Sequence, residues 1–174
     1  MSDLRSEARA RTRADLIYES LYCGAIGGSV IALFFLVLDA INGQPLFTPS
    51  LLGGVLFGGA AAETIDEVRI DWVAYATILH FIVFGIIGAG VAIVAHEVEL
   101  HSRHPATVLF GVFMAIEWIF LVGAMFLLPG VIGVLGFWRV AAANLLAAVG
   151  IAAFPWANHQ PQAWEKLKQA THVA

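Results

Sequence analysis

Four long stretches of this chain are apolar and nearly free of charge, and they constrain the fold more than any other feature. Residues 21–38 run up to Asp39, and residues 72–95 are interrupted only by His80. Residues 106–128 contain Glu117 and end at Pro129-Gly130; residues 140–156 begin beside Arg139 and hold Asn144. A helix needs ~20 apolar residues to cross a ~30 Å hydrocarbon core, and each run approaches or exceeds that length. A soluble helical bundle would need polar faces at helical spacing, which these runs lack. Composition agrees: 60% of the 174 residues are hydrophobic and 13% are charged, whereas an ordinary soluble domain carries about a quarter charged residues. The expected fold is an all-α membrane protein with four transmembrane helices. The expected spans are about 17–39, 72–96, 106–128 and 139–156, within one membrane domain over 17–156. An arm over 1–16 precedes it and a tail over 157–174 follows it.

The basic residues orient these spans. Arg5, Arg9, Arg11 and Arg13 precede the first run, Arg103 lies between the second and third, and Lys166 and Lys168 follow the fourth. Only Arg69 and Arg139 fall on the opposite side. The positive-inside rule then places both termini in the cytoplasm, N-in and C-in. Trp72 and Trp138 mark the outer interface, with Tyr18 and Trp156 at the inner one, as aromatic belts require. The first run is long for a secretory signal, and the residues after Asp39 make a poor cleavage site, so it reads as a retained anchor.

The first outer loop has its own pattern. Asn42-Gly43-Gln44-Pro45 is turn chemistry. Thr48-Pro49 reads as an N-cap followed by proline at the first helical position. The apolar segment that follows, within 49–62, is too short to cross a bilayer, so a re-entrant or interfacial helix is expected. Gly53, Gly54, Gly58 and Gly59 give it a smooth face for close packing. Glu63, Asp66, Glu67 and Asp71 come next, with Thr64-x-x-Glu67 shaped like a capping box. Carboxylates there suit a helix N-terminus, and oxygen ligands alone specify a cation weakly.

Candidate functional residues lie inside the runs. Glu117 sits about 11 residues into the third, ~16 Å from its end at 1.5 Å per residue, near the bilayer midplane. A charged side chain at that depth costs roughly 2.5–3.5 kcal/mol on insertion scales, so it must face protein. His80 lies close enough in depth to join it, and Asn144, Tyr75 and Trp118 are further candidates for one intramembrane polar cluster. Such a cluster is either a proton relay or interhelical glue. Asp39 and Arg139 lie at outer helix ends and are expected to pair, tying the first span to the fourth. Gly24 and Gly28 form a small-xxx-small packing face, as do Gly54 and Gly58, and Gly85, Gly88 and Gly90 suggest another.

Several function classes are disfavoured. A single cysteine, Cys23, excludes an internal disulfide or CxxC site. The segment from His96 to His104 misses H-E-x-x-H, because the second histidine falls at i+5, off the required face. No metal site, catalytic residue or cofactor is predicted, and a net charge of −4 argues against nucleic acid. The expected partners are the lipid bilayer and other membrane subunits or further copies of the chain.

The stretch Phe34-Phe35-Leu36-Val37-Leu38-Asp39-x-x-x-Gly43-x-Pro45-Leu46-Phe47-Thr48-Pro49-Ser50-Leu51-Leu52-Gly53 resembles a segment of uncharacterised small four-span bacterial inner-membrane proteins. The resemblance implies a place in the inner membrane and no particular activity. Small multidrug exporters are similar in span number, but they carry their essential glutamate in the first helix, whereas Glu117 here lies in the third run. Three functions follow as expectations: a non-enzymatic structural or accessory subunit first, a proton-coupled transporter or channel protomer using Glu117 and His80 second, and a redox or quinone-site subunit third.

Overall fold

The computed structural model describes residues 13–101, 114, 117, 118 and 121–159, with side chains placed for 16–94, 114, 117, 118 and 121–151. Among the described residues there is helix and turn but no strand. The principal helices are α1 (Arg13–Ile41), α2 (Phe47–Leu56), α3 (Ile70–His101), α4 (121–127), α5 (Val131–Leu135) and α6 (Phe137–His159), with a 3-10 turn at Ala62–Thr64. Within α1, Leu16–Ile41, and within α3, Ile70–Val94, are long and apolar enough to cross a membrane. The segment His96–His104, the N-terminal arm to residue 12 and the tail from residue 160 hold side chains or backbone outside the described residues.

α1 is the hub, packing against both α3 and α6, which scarcely touch each other. Glycine makes the α1–α3 approach possible. A Cβ on Gly24 would stand 2.6 Å from the Phe84 carbonyl oxygen, and one on Gly88 would strike the Gly24 nitrogen and the Ser20 oxygen. Gly28 accommodates the Phe81 ring. Gly85 presents its Cα to the Gly24 position at 3.0 Å, while a Cβ on Gly85 or Gly90 would meet no described atom within 4 Å, so Gly88 is the α3 glycine whose missing side chain the seam requires. On the α6 side, the bare face at Gly27 receives Ile151.

The chain leaves α1 through a Schellman turn: Gln44 N–H donates to Asp39 O at 2.9 Å and Gly43 N–H to Ala40 O at 3.0 Å. Gly43, at φ +77°, supplies the left-handed residue this turn needs. α2 then starts earlier than the Thr48-Pro49 signal suggests. Its N-cap is Leu46, in the left-handed region at φ 71° with no capping side chain of its own. The cap comes from α1: Asp39 accepts from Thr48 N–H at 2.7 Å and from Thr48 Oγ1 at 2.8 Å. With Phe47 N–H on Gln44 O and Ser50 N–H on Leu46 O, and Pro49 lacking a donor, the amides of the first turn are all partnered. The Thr64–Glu67 capping box does not form either. Thr64 lies in the 3-10 turn and donates to Ala61 O at 2.8 Å, while α3 begins only at Ile70.

α2 is pinned to the start of α3 by its glycine face. A Cβ on Gly53 would strike the Trp72 carbonyl, and Gly54 and Gly58 lie under the Trp72 ring. Ser50, fully buried, accepts from Arg69 N–H at 2.9 Å and donates to Glu67 O at 3.3 Å. Over this junction folds α5, a five-residue helix that the sequence pattern did not suggest, bounded by Gly130 and Gly136 at φ 79° and 87°. Its Val131 and Leu135 join Phe35, Leu51, Ala62, Ile65 and Ala143 in the main buried cluster. The densest apolar packing therefore lies where α2, the 3-10 turn and α5 cap the C-terminal end of α1, and long stretches of the helices beyond it stay exposed. Ile86 is 69% exposed, Ile93 57% and Val149 61%.

Candidate functional site

The five residues expected to form one intramembrane cluster fall into separate sites. Asn144, buried on α6, donates from Nδ2 to Oε1 of half-buried Glu117 at 2.5 Å. An interhelical amide–carboxyl bond of this kind satisfies both polar groups where water is scarce. Position 144 faces inward because it shares a side of α6 with the buried Ala143, Ala147 and Ala148.

His80 makes its contact elsewhere. Its Nε2 lies 2.9 Å from the Gly28 carbonyl oxygen on α1, and as that oxygen only accepts, Nε2 carries the donated proton. The ring is held between Phe81 and Phe84, with centroids at 5.4 and 4.7 Å. Gly28 thus does two things at one position: without a side chain it admits the α3 aromatics, and its carbonyl receives the histidine. Tyr75 turns away to the surface, 54% exposed, and packs its ring on Phe57 at 5.7 Å; Trp118 is 64% exposed.

Asp39 and Arg139 do not form the expected helix-end pair; among the described residues no ion pair joins them. Asp39 is 5% exposed and spends both oxygens on Thr48, holding α2 onto α1. Arg139 stays exposed on the first turn of α6, and the two side chains line one cavity. The competing demand was the orphan N–H of Thr48, nine residues along the chain, whose proximity only the Schellman turn creates. The described ion pair is Arg69–Asp71 at 2.6 Å, with the Arg69 guanidinium stacked over Trp72 at 4.2 Å. Among the described residues no group of three or more His, Cys, Asp or Glu side chains converges as a metal site.

The residues missed in the sequence were Thr48 as the partner of Asp39 and the Gly28 carbonyl as the acceptor for His80. The first had a signal, an acid in the last turn of one helix shortly before a hydroxyl in the first turn of the next. The second had none, since a backbone carbonyl is anonymous. Comparison with known protein families, curated proteins and solved structures finds no match.

Proposed function

We propose that this chain is an integral membrane protein of four spans, with both termini in the cytoplasm, acting as a non-enzymatic structural or accessory subunit of a membrane assembly. One observation carries the reading. The ionisable side chains set among the apolar stretches are each occupied by a neighbouring helix, Glu117 by Asn144 and His80 by the Gly28 carbonyl, at separate sites. That is how interhelical clips are built, whereas a relay needs its members in one connected path. Membrane placement is supported by exposure: only 28% of the apolar window of α1 and 17% of that of α3 is buried. A soluble protein would bury its most apolar helices in its core. Lipid or partner subunits, including further copies of this chain, cover those faces.

On this reading, α2 is an interfacial helix at the outer face and not a span, since ten residues reach only ~15 Å at 1.5 Å per residue. The assignment to a bacterial inner membrane rests on the resemblance at 34–53 and on the distribution of basic residues.

The test is Glu117→Gln, which keeps the acceptor oxygen for Asn144. The variant should retain assembly and stability, and a mild-detergent pull-down should recover the same co-purifying chains as the unaltered protein. If the variant folds normally yet abolishes a pH-dependent flux in liposomes, the chain is a proton-coupled transporter and the subunit reading fails.

A further inference from the structure

The cavity between the end of α1 and the start of α6 has a volume of about 270 Å³. That is just below the ~300–1,000 Å³ range of drug-sized sites, so its occupant is a small group. Its walls are apolar where Leu38 and Val134 stand and polar where Asp39, Asn42, Gln44 and Arg139 stand. The charges are arranged unusually. Asp39 lies almost fully buried, hydrogen-bonded to the neutral donors of Thr48 and without a cation on its oxygens. Arg139 lines the same space, and among the described residues no ion pair neutralises either group. A buried carboxylate whose counter-charge stands across a cavity, out of ion-pair contact, is incompletely compensated even when hydrogen-bonded.

We infer that this cavity is a binding site for a small zwitterion, a primary ammonium joined by a short link to a phosphate or carboxylate. Each end answers one wall. The ammonium has three N–H donors for the remaining lone pairs of Asp39 and the amide oxygen of Asn42, while the Gln44 amide donates to the Asp66 carbonyl at 3.3 Å. The anion meets the Arg139 fork, which suits planar two-point recognition of phosphate or carboxylate. A lone anion gains Arg139 but lies near Asp39, and a lone cation the reverse, so a molecule carrying both charges is the one that satisfies both walls. A trimethylammonium group offers no N–H and is excluded by chemistry. Two sources share these features: the ethanolamine phosphate headgroup of a membrane lipid, and a free soluble zwitterion. Trp138, exposed beside Arg139, suits a site at headgroup level. Only the lipid source rests on the membrane placement proposed above; the charge argument stands without it.

The experiment uses the full chain in a phosphate-free maltoside detergent. Calorimetric titration with O-phosphoethanolamine is compared with inorganic phosphate and with ethanolamine alone. In parallel, the chain is extracted from vesicles holding equal parts phosphatidylethanolamine, phosphatidylcholine and phosphatidylglycerol, and retained lipid is read by native mass spectrometry. Expected is binding of O-phosphoethanolamine at least tenfold tighter than of either fragment, or enrichment of phosphatidylethanolamine over both other lipids. The first alone assigns a soluble ligand; the second assigns the lipid. Arg139→Gln, at an exposed position, and Asp39→Asn, which keeps an acceptor for Thr48, should each weaken binding at least tenfold while helicity is retained. If Asp39→Asn fails to fold, Arg139→Gln alone decides. Equal affinity for inorganic phosphate, unaltered binding by a folded variant, or no binding in either arm overturns the proposal.

Discussion

Replacing Gly88 by alanine tests the central helix contact with a single methyl group. The added Cβ would strike the Gly24 nitrogen and the Ser20 carbonyl oxygen, with the Gly24 Cα at 2.8 Å. Because these are backbone atoms, no rotamer change relieves the overlap, and α1 and α3 must separate. A gap of roughly 0.5–1 Å forfeits about a quarter to a half of the dispersion well for each atom pair along the seam. The same displacement stretches the His80–Gly28 hydrogen bond, now 2.9 Å, toward the limit of useful geometry. Over-packing of this kind costs ~1–3 kcal/mol. Alanine also gains up to ~1 kcal/mol of helix propensity over glycine, which would mask part of the loss. Gly90→Ala removes that ambiguity, since Gly90 lies in the same helix and a methyl group there would meet no atom of the described residues within 4 Å. Both variants share the propensity gain, so their difference isolates the steric cost, about 1–3 kcal/mol. Reversible unfolding in mixed micelles of mild detergent and dodecyl sulfate, followed by circular dichroism, measures it. Were the two variants to unfold within about 0.5 kcal/mol of each other, the close α1–α3 approach through Gly24 and Gly88 would be refuted.

Three further outcomes follow from the capped end of α1. Asp39→Ala strips the buried Thr48 amide and hydroxyl of their acceptor and should cost about 1–3 kcal/mol, whereas Asp39→Asn should cost clearly less; equal losses in the unfolding assay would contradict the cross-helix cap. Gly130→Ala forces a side chain into φ +79° and against the Glu63 carboxylate at 2.5 Å, and should destabilise by at least ~1–2 kcal/mol from the left-handed backbone alone. Gly53→Ala drives a methyl into the Trp72 carbonyl and should lift α2 from α3. Its expected signature is faster proteolysis between residues 57 and 69, with circular dichroism unchanged; an unchanged cleavage rate would show that α2 is not seated there.

How much could be read in advance differs from residue to residue. Gly43 announced the end of α1 because few other residues adopt the backbone a Schellman turn requires, and the turn stands where Asn42-Gly43 indicated. Gly24, Gly28, Gly54 and Gly58 marked close approaches by their spacing alone, and each lies against a neighbouring element. Helix starts were less legible. Thr48 looked like a cap because its hydroxyl is the right chemistry in the right place, yet α2 begins before it and Thr48 became the capped residue. Val131 to Leu135 was too short to generate a periodicity, so α5 left no signal beyond its flanking glycines.

The sequence by itself determined the helical character, the long apolar stretches and the positions of the buried ionisable residues. These depend on local composition and on the cost of placing charge in an apolar medium. The tertiary structure alone decided the partners. Glu117 took Asn144 and not His80, His80 took a backbone carbonyl, and Asp39 took Thr48 and left Arg139 across an open cavity. The physical reason is that a hydrogen bond is satisfied within about 3 Å. Helix rotation, tilt and loop path set distances on that scale, and residue spacing along a chain does not.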